Sequence, residues 1–157
     1  MVVDYPGAEA ERRILQLNRE EARAASGNDF TPAVQVSQET ISQARSEILN
    51  MHLAPELEEY IVNLVVATRE PDRLAAGLAA AVQFGASPRA SIAIDRASRA
   101  HAWLAGRDYV GPDDIQSVAA DVLRHRILLS FEAEADGMTP DQFIDKLIAG
   151  VGVPKLQ

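Results

Sequence analysis

Apolar residues recur along this chain at helical spacing, and proline or a short polar residue opens most of the runs. The clearest is the stretch from Pro55, where Leu57, Tyr60, Ile61, Leu64 and Val65 share one face. A first helix is predicted from Pro6 to about Arg23, with Ile14, Leu15 and Leu17 as its apolar content. A second starts at Ser37 as N-cap and carries Ile41, Ala44, Ile48 and Leu49 as its stripe. Between them GNDFTPAV, residues 27–34, reads as a loop. Residues 73–83, RLAAGLAAAVQ, are weakly helical at best, because Gly77 interrupts them.

A fourth helix is predicted from Pro88 to about Leu104, with the small residues Ala93, Ala97 and Ala100 placed for close approach of a neighbour. GRD, residues 106–108, stops it. GPDDI, residues 111–115, opens a fifth that packs Ile115, Val118, Ala119, Val122 and Leu123. Thr139-Pro140-Asp141 opens a sixth that packs Phe143, Ile144 and Leu147. Only Val34–Val36 and Ile127–Phe131 read as extended, which allows one short two-stranded β element. The class expected is all-α, an antiparallel helical bundle whose core comes from the third, fourth and fifth helices.

The first turns of these helices follow a rule with one exception. The helix dipole favours acids there, and Glu9, Glu39, Glu56, Asp113, Asp114 and Asp141 occupy such positions. The helix at Ser87-Pro88 has no acid in its first turn and carries Arg89 instead. A cation beside unpaired amide N–H groups costs a few tenths of a kcal/mol up to ~1, and the concentrated positive charge suits an anion supplied from outside. A local ion pair with a neighbouring acid would account for the same placement.

Composition narrows the classes. The 157 residues suit one core, and a 47% hydrophobic fraction with only 5% aromatics makes that core largely aliphatic. There is no cysteine, so disulfides and thiolate zinc sites are excluded. A net charge of −8 opposes a dedicated nucleic-acid binder, including a helix-turn-helix reader built from the fourth and fifth helices. No apolar run approaches the length of a membrane span, and a cytoplasmic protein is expected. His52, His101 and His125 lack the i, i+4 pairing of a helical metal site and read as surface or packing residues. The basic cluster RHR, residues 124–126, falls where cations complement a helix C-terminus, Arg96 and Arg99 with Asp95 read as a salt-bridged surface, and Trp103 reads as a packing anchor.

GASPRAS at 85–91, with YIVNLVVATR at 60–69 before it and GRDYVGPDDI at 106–115 after it, resembles the lid region of the MoxR family of AAA+ ATPases. DVLRHRILLSFEAEADG at 121–137 extends the resemblance, and YPGAEAERRIL at 5–15 is similar to the segment where such chains leave the ATPase core. The resemblance implies that Arg89 is the sensor 2 arginine, reaching from the lid to the nucleotide phosphates, with Ser87 and Pro88 setting the helix start that positions it. It also implies that the face of Tyr60 and Ile61 can meet the adenine ring, although core packing explains both residues as simply.

The sequence holds no G-x-x-x-x-G-K-[ST] and no apolar strand ending in Asp-Glu. The resemblance therefore implies a lid, residues 6–157, preceded by a core-strand remnant, residues 1–5. ATP and Mg²⁺ belong to the full-length parent, and none is expected on the fragment. The partners implied are the AAA+ core of the same chain, neighbouring subunits of a hexameric ring, and proteins with von Willebrand factor A domains. The family's association is with chaperone-like maturation of protein complexes. A stand-alone helical adaptor without nucleotide binding is the alternative reading.

Overall fold

The computed structural model describes residues 5–24, 34–73 and 78–155. The chain divides into two compact units, residues 1–41 and 42–157. In the first, α1 spans Ala8–Ala24 with Glu9 and Glu11 in its first turn. Its apolar residues Ile14, Leu15 and Leu17 are all exposed. The residues expected as a core-strand remnant lie, apart from Tyr5, outside the described residues, as does most of the 27–34 loop.

Helix α2, Gln38–Leu49, begins at the end of the first unit and continues into the second. Ser37 caps it, its Oγ accepting from the Thr40 N–H at 3.0 Å. The expected stripe is not a core face. Ile41 and Leu49 are exposed, Ala44 and Ile48 are half-buried, and no residue of α2 is buried.

The core lies in the second unit. Helix α3, Pro55–Ala67, buries Leu57, Tyr60, Ile61, Leu64 and Val65, the face read from the sequence, together with Ala67. A short 3-10 turn at Ala79–Ala81 leads into β1, Val82–Phe84. Helices α4, Arg89–Leu104, and α5, Pro112–Leu123, form the most extensive helix pair, and α3 packs on α4. After β2, Leu128–Leu129, come a five-residue helix α6, Phe131–Ala135, and α7, Pro140–Gly150, which covers α5 and touches α3. Phe143, Ile144 and Leu147 of α7 are fully buried beside Leu57, Leu64, Ile94, Ile115 and Leu123. Each such side chain contributes about 1.5–3 kcal/mol of transfer free energy, so α7 belongs to the core as fully as α3, α4 and α5.

Two expectations are corrected here. β2 pairs antiparallel with β1, Val82↔Leu129 and Phe84↔Leu128 around an irregularity, and Val34–Val36 forms no strand. A strand of three residues carries no periodic signal, and β1 adjoins a segment whose alanines suggest helix. The second correction concerns α4. Its buried line is Ala90, Ile94, Ser98 and Ala102, whereas Ala93, Ala97 and Ala100 are only half-buried. Ser98 escapes a hydrophobicity count, but its hydroxyl donates to the Asp95 carbonyl at 3.0 Å and can therefore be buried.

Glycine ends α4 for a geometric reason. Gly106 has φ of 74°, its N–H donates to the Trp103 carbonyl at 2.9 Å, and the Arg107 N–H reaches back to Ala102 at 3.1 Å. This is a left-handed C-terminal cap, accessible to glycine at low cost.

Candidate functional site

The segment before α4 is fastened to the end of α3. Thr68, fully buried, follows the last residue of α3, and its Oγ1 donates to the Val65 carbonyl at 2.7 Å. The same oxygen accepts from the Ala86 N–H at 2.9 Å. Next along, Arg69 Nε donates to the Ala86 carbonyl at 2.7 Å. Both main-chain polar groups of Ala86 are thus paired by consecutive residues, which lets Ala86 sit fully buried without loss of hydrogen bonding.

Gly85 makes this approach possible. A Cβ added there would lie 2.4 Å from the Thr68 carbonyl oxygen and 2.7 Å from its carbon. Those are backbone atoms that cannot rotate aside, so any side chain would push the strand and helix apart.

From this anchor the chain turns into α4. The Ser87 carbonyl accepts from the Ala90 N–H at 2.8 Å and the Pro88 carbonyl from the Ser91 N–H at 3.1 Å. Pro88 has αR dihedrals and no side chain caps the terminus, so Ser87 opens the helix through its carbonyl rather than its hydroxyl. Arg89 is the first residue of α4 and is exposed. Among the described residues its guanidinium has neither a hydrogen-bond nor an ion-pair partner. No acid stands in this first turn, whereas each of the other six α-helices described carries at least one.

Ser87, Pro88 and Arg89 are therefore contiguous at one helix terminus. Tyr60 and Ile61 are buried on α3. The Tyr60 hydroxyl accepts from Gln116 Nε2 at 3.0 Å, which turns it toward α5. Ile61 contributes to an open groove of 460 Å³, shared with Val62 and with Ser91 and Ile92 of the first turn of α4. Both belong to the core, and of the two Ile61 lines the groove beside α4.

A second polar constellation holds the start of α5. Asp114 is 1% exposed and accepts from four donors: Arg107 Nη1 at 2.7 Å, Arg107 Nη2 at 2.5 Å, His101 Nδ1 at 2.7 Å and the Gly111 N–H at 2.8 Å. Burial alone would raise its pKa, but the bonds from Arg107, Gly111 and His101 outweigh that and hold it well below the usual carboxylate range. Arg107 is correspondingly raised, chiefly by its bonds to Asp114. Because His101 lies on α4 and Asp114 on α5, the cluster ties the two helices together. His101, read as a surface or packing residue, takes part in this bonding.

Arg99 and Arg124 are committed locally, whereas among the described residues Arg96 makes no ion pair with Asp95. Arg99 bonds Asp95 at 2.8 Å and the Met51 carbonyl, and Arg124, just past α5, bonds Asp121 at 2.8 Å and Asp141 at 2.6 Å. Trp103 Nε1 donates to Glu47 at 3.0 Å. Among the described residues no group of three or more His, Asp or Glu could hold a metal ion, and no helix is long and apolar enough to cross a membrane.

The sequence motifs missed Thr68 and Arg69 as neighbours of the α4 terminus. Their signal was available only as the string ATR within the 60–69 resemblance.

Comparison with known proteins bears on the same segment. Residues 74–147 match the AAA lid domain. The chain is 36% identical over 156 residues to Chaperone MoxR1 of Mycobacterium tuberculosis, covering 98% of this chain and 39% of the relative. It is 37% identical over 110 residues to Protein MoxR of Paracoccus denitrificans, covering 66% of this chain and 32% of that one. A crystal structure of a candidate ATPase from Cytophaga hutchinsonii superposes with a TM-score of 0.77 at 37% identity, over 98% of this chain and 45% of that chain. The chain spans less than half the length of each of these proteins. With the helical bundle and these matches in agreement, the chain belongs to the MoxR family of AAA+ ATPases and carries its AAA lid domain over residues 74–147.

Proposed function

We propose that this lid reads the state of a bound nucleotide through Arg89, as the sensor 2 arginine of a MoxR-type ATPase. The observation that carries the reading is the exposed, unpartnered guanidinium at the only described α-helix start without an acid. A phosphate placed there gains a charge-assisted, planar contact together with the positive end of the α4 dipole. Ser87 and Pro88 fix where α4 begins, and the α3 face that carries Tyr60 and Ile61 is the one we assign to the adenine side.

In the parent, ATP and Mg²⁺ are held by an AAA+ core, of which residues 1–5 are a remnant and residues 6–157 the lid. Loss of negative charge as γ-phosphate leaves weakens the grip of Arg89 and frees the lid to rotate against the core. In a hexameric ring that rotation reaches neighbouring subunits and then a client, in chaperone-like maturation of protein complexes with von Willebrand factor A domain partners. A cytoplasmic setting fits this role.

One arginine cannot replace a phosphate-cradling loop. Calorimetry on residues 1–157 alone should give no measurable ATP binding at micromolar concentrations, and hydrolysis should not exceed background. A micromolar Kd for ATP on this chain would overturn the lid reading.

A further inference from the structure

The polar contacts of Thr68 and Arg69 exceed what ending a helix requires. A helix C-terminus needs its carbonyls satisfied, and Thr68 Oγ1 does donate to the Val65 carbonyl. The same oxygen and Arg69 Nε also take both main-chain polar groups of Ala86, seventeen and eighteen residues away. Gly85 meets the Thr68 carbonyl so closely that no side chain fits between them. Only Ser87 and Pro88 separate Ala86 from Arg89, and the first two α4 hydrogen bonds start at those two residues. There is no slack in that path.

We propose that Thr68 and Arg69 are positioning residues for Arg89: they make the end of α3 the fixed point from which the Arg89 guanidinium is aimed. The inference rests on the reading of Arg89 as the phosphate contact. Neither residue touches nucleotide in this scheme. Thr68 sets the height of the Ala86 N–H, and Arg69 holds the carbonyl on the opposite side, so that α4 cannot pivot about Gly85. Movement of α3 would then be felt at Arg89 as a rigid displacement. Misplacing a catalytic group by about 1 Å can cost on the order of a hundredfold in rate, so the effect belongs to turnover rather than to nucleotide affinity.

The test is a double-mutant cycle on ATP hydrolysis by the full-length protein. Thr68→Val removes the hydroxyl at similar volume, Thr68→Ser keeps it, and Arg69→Met keeps the stem without the guanidinium. Each is made alone and with Arg89→Ala. Thr68→Val and Arg69→Met should each lower kcat by roughly ten- up to a hundredfold with the KM for ATP nearly unchanged, and Thr68→Ser should restore most of the rate. Combined with Arg89→Ala, neither should lower kcat below Arg89→Ala alone, because the group they position is gone. Losses that multiply in the double variants would mean that Thr68 and Arg69 only stabilise the fold, and would overturn the proposal. Normal kcat in both single variants beside an impaired Arg89→Ala would do the same while leaving the Arg89 reading intact. Normal turnover in Arg89→Ala would remove both readings at once. Should Thr68→Val fail to fold, the exposed Arg69 carries the cycle alone.

Discussion

Arg89→Ala in the full-length ATPase should lower ATP turnover by roughly ten- to a thousandfold, as a lost charge-assisted contact at the reacting phosphate of ~1.4–4 kcal/mol would. The size follows from where the charge sits. Arg89 is exposed at the start of α4 and has no partner among the described residues, so the side chain is free to engage a phosphate. Nucleotide affinity should fall less, because the core supplies most of the binding. Arg89→Lys should restore only part of the rate, since a point charge does not reproduce the planar fork. Lys146→Ala, an exposed cation of α7, removes the same charge elsewhere and should leave turnover near normal. Steady-state phosphate release measures all three. Equal losses in the Arg89 and Lys146 variants would assign the effect to net charge instead of to a contact.

The largest stability loss is expected at Asp114. Asp114→Ala should destabilise the fold by about 2–4 kcal/mol, somewhat below the ~3–5 kcal/mol typical when one member of a buried pair is removed. The reduction reflects Arg107, whose side chain keeps 32% of its surface in water and can be rehydrated. His101 Nδ1 and the Gly111 N–H also lose their acceptor, so the start of α5 and its tie to α4 weaken together. Urea unfolding should show a lower midpoint at unchanged slope.

The same group sets an acid limb. The native pKa of Asp114 is depressed, so the carboxylate binds protons more readily in the unfolded chain. Its contribution is complete above the unfolded value of ~3.9 and is lost as pH falls from there toward the lower native value. Asp114→Ala should therefore flatten the loss of stability below about pH 4, and an acid limb as steep as in the parent would contradict the assignment.

How much of this was legible follows the kind of signal each element carries. Helix starts were readable because proline, acids and short polar caps act locally. Ser37 and Thr139 cap where expected, Thr139 accepting from the Gln142 N–H at 3.2 Å while Gln142 returns the bond at 3.0 Å. The α3 face was readable because five large apolar residues recur at helical spacing. On α4, small residues occur on two faces, Ala93-Ala97-Ala100 and Ala90-Ser98-Ala102, and size alone does not say which one is buried. Helix α6 spans one turn and has no period to detect, although Ser130 caps it through the Ala133 N–H at 3.2 Å and Glu132 and Glu134 follow.

The candidate site divides in the same way. Arg89 stood out because it breaks a rule of charge placement visible in the sequence. Thr68 and Arg69 did not, because hydrogen bonds across seventeen and eighteen residues leave no local pattern. Asp114 was read as one more acid at a helix start. That reading is true, but it omits Arg107 and His101, which only the packing of α4 against α5 brings to it.

The most direct measurement is a structure of the full-length protein with Mg²⁺ and a non-hydrolysable ATP analogue. A nitrogen of the Arg89 guanidinium should lie about 2.7–2.9 Å from a phosphate oxygen, with the Ala86 bonds to Thr68 and Arg69 intact. An Arg89 side chain still in solvent, or paired with a carboxylate while another cation holds the phosphate, would contradict the account.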